Sequence, residues 1–150
     1  APISIPTFGI SNPYPSTIAV SGLTGTLSKV VVRLNGFTHT FPDDVDILLV
    51  GPAGQSVVLM SDIGGGGDAA DLNLVLDDAA AASLTDNGPL ASGTFRPTNF
   101  GLSDAFNAPA PAAPHGSALA AFNGSSPNGL WSLYVVDDTS GDLGIFSGGW

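Results

Sequence analysis

All thirteen acidic residues of the chain are aspartates, with no glutamate among them. A short carboxylate on a turn is a stiff oxygen donor suited to a hard cation such as Ca²⁺, whereas glutamate favours helix interiors. The aspartates fall in groups: Asp43, Asp44 and Asp46; Asp62, Asp68 and Asp71; Asp77 and Asp78; Asp137, Asp138 and Asp142. The stretch from Asp62 to Asp71 sets three carboxylates around four consecutive glycines, Gly64 to Gly67. Glycine lets the backbone wrap tightly, so carbonyl oxygens can join Asp62, Asp68 and Asp71 around one ion. A second site draws on Asp44, Asp46, Asp78, Asp137, Asp138 and Asp142. In Asp44-Val45-Asp46, alternation along a strand puts both carboxylates on one side, and Asp137 to Asp142 forms an Asp-Gly loop directly after a strand. Neither stretch has EF-hand spacing or its terminal glutamate. The plainer role of any of these residues is to cap a turn.

Other chemistry is thinner. His39 lies near Asp43–Asp46, yet no Gly-x-Ser-x-Gly elbow accompanies it, and it reads as a hydrogen-bonded structural residue. The spacing of His39 and His115 matches no familiar zinc pattern. Paired carboxylates could serve a glycosidase, but such an acid needs a shielded pocket. A carbohydrate- or surface-binding jelly-roll module is the stronger alternative, with Tyr14, Trp131, Tyr134 and Trp150 available for stacking. Against it, Trp131 sits on the apolar phase of its strand and Tyr14 lies between prolines.

The elements that must position these groups are short strands. Twenty Gly and twelve Pro in 150 residues leave little room for long helices. Val30, Val32 and Leu34 share one face of a strand, with Lys29 and Arg33 on the other. Val45 to Val50 reads as a buried strand ended by Gly51-Pro52-Ala53-Gly54, and Val57 to Met60 returns as a hairpin. Alternation recurs over Leu72–Leu76 and Trp131–Val136, and Ile145-Phe146 opens a last strand. Ala79–Ala82 is too short to stand as a helix. The proline-rich Ala108–Pro114 cannot be helical and reads as a long loop across the face of one sandwich rather than a linker. The expected fold is all-β, a jelly-roll β-sandwich forming a single domain over 1–150.

Charge narrows the partners. The net charge is −10, with Lys29, Arg33 and Arg96 the only basic residues besides two histidines. Nucleic-acid binding by charge is excluded, an anionic membrane surface is disfavoured, and no apolar run is long enough to span a membrane. The absence of cysteine removes disulfides and thiolate metal sites. No signal-peptide pattern opens the chain, which reads as a mature or excised segment. Millimolar extracellular Ca²⁺ is the natural counterion for so many carboxylates, so a secreted location is expected.

Several segments together resemble the P domain (P/Homo B domain) of kexin- and furin-type proprotein convertases, and more closely its bacterial branch. They are Asn12–Ile18, Gly36–Gly54 with its Phe41-Pro42-Asp43-Asp44-Val45-Asp46 run, Ser92–Asn99, Leu119–Gly124, Asn128–Val135 and Gly148-Gly149-Trp150. They occur in the family's order and span nearly the whole chain. The resemblance implies a jelly-roll sandwich without catalytic residues of its own, which packs on a subtilisin-like serine protease and supports its folding and calcium dependence. The implied partner is an attached or neighbouring protease domain in a longer precursor. The family pattern continues past Gly-Gly-Trp into an alternating strand, whereas this sequence stops at Trp150. An open sheet edge there is a place for association with another chain.

Overall fold

Alternating apolar residues become strands wherever a turn signal releases them. The computed structural model describes residues 1–101 and 104–150. Its strands are β1 (Ile3–Ile5), β2 (Gly9–Ile10), β3 (Ser16–Val20), β4 (Val32–His39), β5 (Val45–Val50) and β6 (Ser56–Ser61), followed by β7 (Ala69–Leu76), β8 (Gly93–Phe95), β9 (Thr98–Asn99), β10 (Gly129–Asp137) and β11 (Gly144–Gly149). Two 3₁₀ turns, Pro42–Asp44 and Leu119–Phe122, are the helical elements among the described residues. No helix there is long and apolar enough to cross a membrane.

The strands form two sheets. One runs β1-β11-β4-β7-β8, and the other runs β2-β10-β5-β6-β9, with β3 also on β10. Neighbours are antiparallel except β7–β8 and β6–β9, which are parallel. The chain crosses between the sheets from β1 to β2, β3 to β4, β4 to β5, β6 to β7, β8 to β9 and β10 to β11, in the manner of a jelly roll. The chain is thus the all-β sandwich expected from its periodicity. Its last strand is flanked on both sides, by β1 and by β4.

Two apolar clusters explain why β5 is buried almost throughout. Val45, Ile47 and Leu49 face the core between the sheets, with Phe37 and Phe146 stacked 4.7 Å apart within it. Leu48 faces the other way, into a smaller cluster with Val58 and Tyr134. The proline-rich segment covers that outer face, as the sequence suggested. Tyr134 Oη donates to Pro109 O (3.3 Å), Tyr14 Oη donates to Asn107 O (2.8 Å), and Val58 N–H donates to Gly116 O (3.0 Å).

The inner core depends on close approach at Gly51. A Cβ there would come within 2.9 Å of the Phe122 ring, which itself lies 5.1 Å from the Trp131 ring. Phe122→Ala removes a fully buried ring and should cost about 3–5 kcal/mol, or about 6–20 °C in melting temperature for a chain of this size. Thermal denaturation followed by circular dichroism reads the shift.

Candidate metal site at the acidic end of the sandwich

Three strands deliver the site. β5 pairs with β6 at Ile47↔Met60, so Asp46 lies level with the end of β6, where Ser61 and Asp62 stand. β9 runs parallel to β6 with Ser61↔Asn99, which carries the chain beyond Asn99 past Asp62. Phe100 N–H donates to Ser61 O (3.4 Å), and Asp104 then turns back toward β6. Among the described residues, the one group of three acids whose oxygens lie within 4.8 Å of one another is Asp46, Asp62 and Asp104.

Polar neighbours bind the three together. Ser61 Oγ sits 2.8 Å from Asp104 Oδ1 and 3.0 Å from Asp62 Oδ2, and its single proton can serve only one of them at a time. Asn99 Nδ2–H donates to Asp104 Oδ2 (2.5 Å). A Cβ at Gly101 would overlap Asp62 Oδ2, so a larger residue there would displace that carboxylate. Asp62 itself adopts φ +51°, left-handed backbone that Asp tolerates better than most residues. Burial pushes Asp46 up to about 8, opposed by the nearby Ser61 hydroxyl and reinforced by the charges of Asp104, Asp138 and Asp62. Every donor is a hard oxygen, the set that suits Ca²⁺ or Mg²⁺ rather than a softer metal.

A second group of acids adjoins the first. Asp44 is buried and pushed up to about 6, first by desolvation and then by the charges of Asp137, Asp138, Asp142 and Asp43. Asp138 N–H donates to Asp44 O (3.0 Å), and Asp142 Oδ1 accepts from Thr40 Oγ1 (2.6 Å). Asp137 is fully buried against His39, with Oδ2 and Nε2 hydrogen-bonded at 3.1 Å, and burial raises its pKa. On the other ring edge, Nδ1 lies 2.9 Å from Phe41 O and 3.2 Å from the Phe41 nitrogen. His39 is therefore the hydrogen-bonded structural histidine that the sequence suggested. Among the described residues no Lys or Arg pairs with any acid of this end; Lys29 is held by Asp77 at 2.7 Å.

The sequence grouping of the aspartates is redrawn by the fold. Asp62, Asp68 and Asp71 do not converge, because the glycine run is the crossover between sheets. Asp62 stays at the end of β6, while exposed Asp68 stands just before β7 and exposed Asp71 on it, in the other sheet. The glycines fold against the 85–90 segment, with Gly64 N–H donating to Thr85 O (2.7 Å). Asp44 and Asp46 also part company: Asp44 belongs to the 3₁₀ turn before β5, so strand alternation does not apply to it. Asp46 joins Asp62, whereas Asp44, Asp137, Asp138 and Asp142 form the adjoining group. Asp78 lies elsewhere and caps the Leu119–Phe122 turn, accepting from the N–H groups of Leu119 (2.9 Å) and Ala120 (2.7 Å). Asp104, Ser61 and Asn99 were not singled out from the sequence. The only local hint was Gly101 three residues before Asp104, which marks a close approach without saying to what.

The aromatic residues considered for sugar stacking are engaged internally. Trp131 and Tyr134 are buried, and the indole N–H groups of Trp131 and Trp150 donate to Pro127 O and Ser16 Oγ, both at 3.0 Å. No family model, curated protein or solved structure matches this chain. Its class is therefore given by fold and site alone: a two-sheet β-sandwich with a carboxylate cluster at one end.

The raised carboxylates fix the sign of a pH effect. Asp46 holds its proton more tightly when folded (about 8) than at its ordinary value of 3.8, and Asp44 does the same up to about 6. This stability is fully present below about pH 4 and is lost as pH rises through those values. In EDTA, the urea midpoint should therefore be higher at about pH 5 than at about pH 8, and Asp46→Asn should flatten the difference. A wild-type midpoint that rises with pH over that window would contradict this arrangement.

Proposed function

We propose that the chain is a non-catalytic, calcium-binding accessory domain of a secreted multidomain protein, stabilising an attached subtilisin-like serine protease. The convergence of Asp46, Asp62 and Asp104 around Ser61, with a glycine where a side chain would obstruct Asp62, supports the cation half of this reading. A bound Ca²⁺ would neutralise carboxylates that otherwise repel one another in a poorly solvated position. These residues belong to β5, to the end of β6 and to the segment after β9, so the same ion would tie three parts of the second sheet together. The accessory half rests on the resemblance of the ordered motif blocks to P domains. One of those blocks, Gly36–Gly54, contains β5 and therefore Asp46.

Calcium that binds only the folded chain stabilises it by about 2.7 kcal/mol at a hundredfold excess over Kd, about 5–10 °C here. Melting curves in millimolar CaCl₂ and in EDTA should differ by that amount. The difference should vanish in Asp62→Asn and Asp104→Asn and persist in Asp68→Asn and Asp71→Asn. Identical curves for the unaltered chain, with no ion retained on purification, would remove the calcium reading. Deleting this segment from its full-length precursor checks the accessory role separately. The attached protease should then inactivate faster on heating, and unchanged inactivation would count against that role.

A further inference from the structure

Four asparagines of the chain are followed by glycine: Asn35, Asn87, Asn123 and Asn128. The backbone nitrogen after an asparagine can attack that residue's own side-chain amide, and glycine, which has no Cβ, leaves the approach open. The attack needs a backbone N–H that is not hydrogen-bonded and a side chain free to swing over it. Three of the four pairs are closed to it. Gly36 is buried within β4, and its N–H donates to Asn73 Oδ1 (3.1 Å). Gly124 N–H donates to Leu27 O (2.8 Å). Asn128 is gripped by Leu23, whose N–H donates to its Oδ1 (3.0 Å) and whose carbonyl accepts from its Nδ2 (2.7 Å). Asn87 and Gly88 differ on every count. Both are exposed, and neither the Asn87 side chain nor Gly88 N–H forms a hydrogen bond among the described residues. Nothing lies within 4 Å of where a Gly88 Cβ would stand. The segment is pinned on either side of this tip, by the Gly64 N–H bond to Thr85 O (2.7 Å) and by Leu90 buried against Gly64.

We propose that Asn87 is a site of self-modification, at which ring closure onto Gly88 converts the side-chain amide to a carboxylate. The Gly88 nitrogen loses its proton to solvent and attacks Asn87 Cγ. A Cγ–N bond forms, the Cγ–Nδ2 bond breaks, and Nδ2 takes a proton from solvent and leaves as ammonia. Water then opens the resulting succinimide at one of its two carbonyls, giving aspartate or isoaspartate at 87. Nothing is oxidised or reduced, and water is the sole co-reactant. Isoaspartate lengthens the main chain by one atom, which an exposed tip with no backbone hydrogen bond to break accommodates. The product adds a negative charge to a chain already at −10, and adds it at the acidic end. Asn87 Oδ1 stands 3.4 Å from the place a Gly65 Cβ would take, and Asp86 beside it already acts through its charge on Asp43. The chemistry is local to Asn87 and Gly88, so it proceeds with or without a bound cation.

Incubating the folded chain in mildly alkaline buffer, where the Gly88 nitrogen loses its proton more readily, should produce a more acidic form separable by anion exchange. Peptide mapping, together with labelling by an isoaspartyl methyltransferase, should place the change at residue 87. Conversion at Asn35, Asn123 and Asn128 should be at least about tenfold slower, because each pair must first lose its hydrogen bonds by local opening. In urea that difference should collapse, since all four pairs are then equally free. Asn87→Gln disfavours the ring by one added methylene and should stop the acidic form from appearing, with an unchanged circular dichroism spectrum. Similar rates at all four sites of the folded chain would overturn the proposal. So would an intact Asn87 under conditions in which a peptide of residues 84–90 converts, or an acidic form that persists in Asn87→Gln.

Discussion

The enclosure of β5 on both faces is the constraint from which the acidic end follows. Its odd-numbered residues Val45, Ile47 and Leu49 fill the space between the sheets, and Leu48 is roofed by the proline-rich segment. A one-residue slip would exchange these two sets, so the register of β5 is firmly set. That register leaves Asp46 inside the strand and Asp44 immediately before it, both almost free of solvent contact. A desolvated carboxylate is stable only if it is protonated, hydrogen-bonded or matched by positive charge. Here the neighbours are mainly further carboxylates, and the raised pKa values of Asp44 and Asp46 record that mismatch.

The same enclosure explains why the proline-rich segment begins with a functional candidate. To cover Leu48, Val58 and Tyr134 the chain must leave β9 at the end of β6 and cross the outer face of the second sheet. Asp104 stands at the start of that crossing, and Ser61 and Asn99 hold it there. The residues that seal the outer cluster and the residues that gather the carboxylates are thus parts of one path. A cation at Asp46, Asp62 and Asp104 would fasten this path to the strands beneath it.

Local pattern made much of the fold readable. The run Val45–Val50, the turn at Gly51–Gly54 and the return through β6 appear as their composition suggests, and His39 is the internal residue its surroundings implied. The partners of each aspartate were far less legible. Asp62 and Asp71 are close in sequence but lie in different sheets, because the glycines between them form a crossover rather than a cage. Asp104 lacks a strand pattern and reaches Asp46 only through the parallel β6–β9 pairing, a non-local contact that alternation does not encode. Asp78 shows the opposite case: it is a turn-capping residue as aspartates often are, but the turn it caps lies some forty residues away.

β4 joins two regions of opposite character. At its end, His39 meets Asp137 beside the clustered carboxylates; at its start, Lys29 and Arg33 line an apolar cleft. Eight strand residues separate the two, about 25 Å at the usual rise per residue, and charges that far apart in physiological salt are largely screened from each other. Arg33 therefore stands apart from the clustered carboxylates, whereas Lys29 is held by Asp77. Arg33 forms no ion pair among the described residues. Charge is thus distributed unevenly along one strand, with carboxylates clustered at its end and two cations at its start, and the apolar core between them holds both in place.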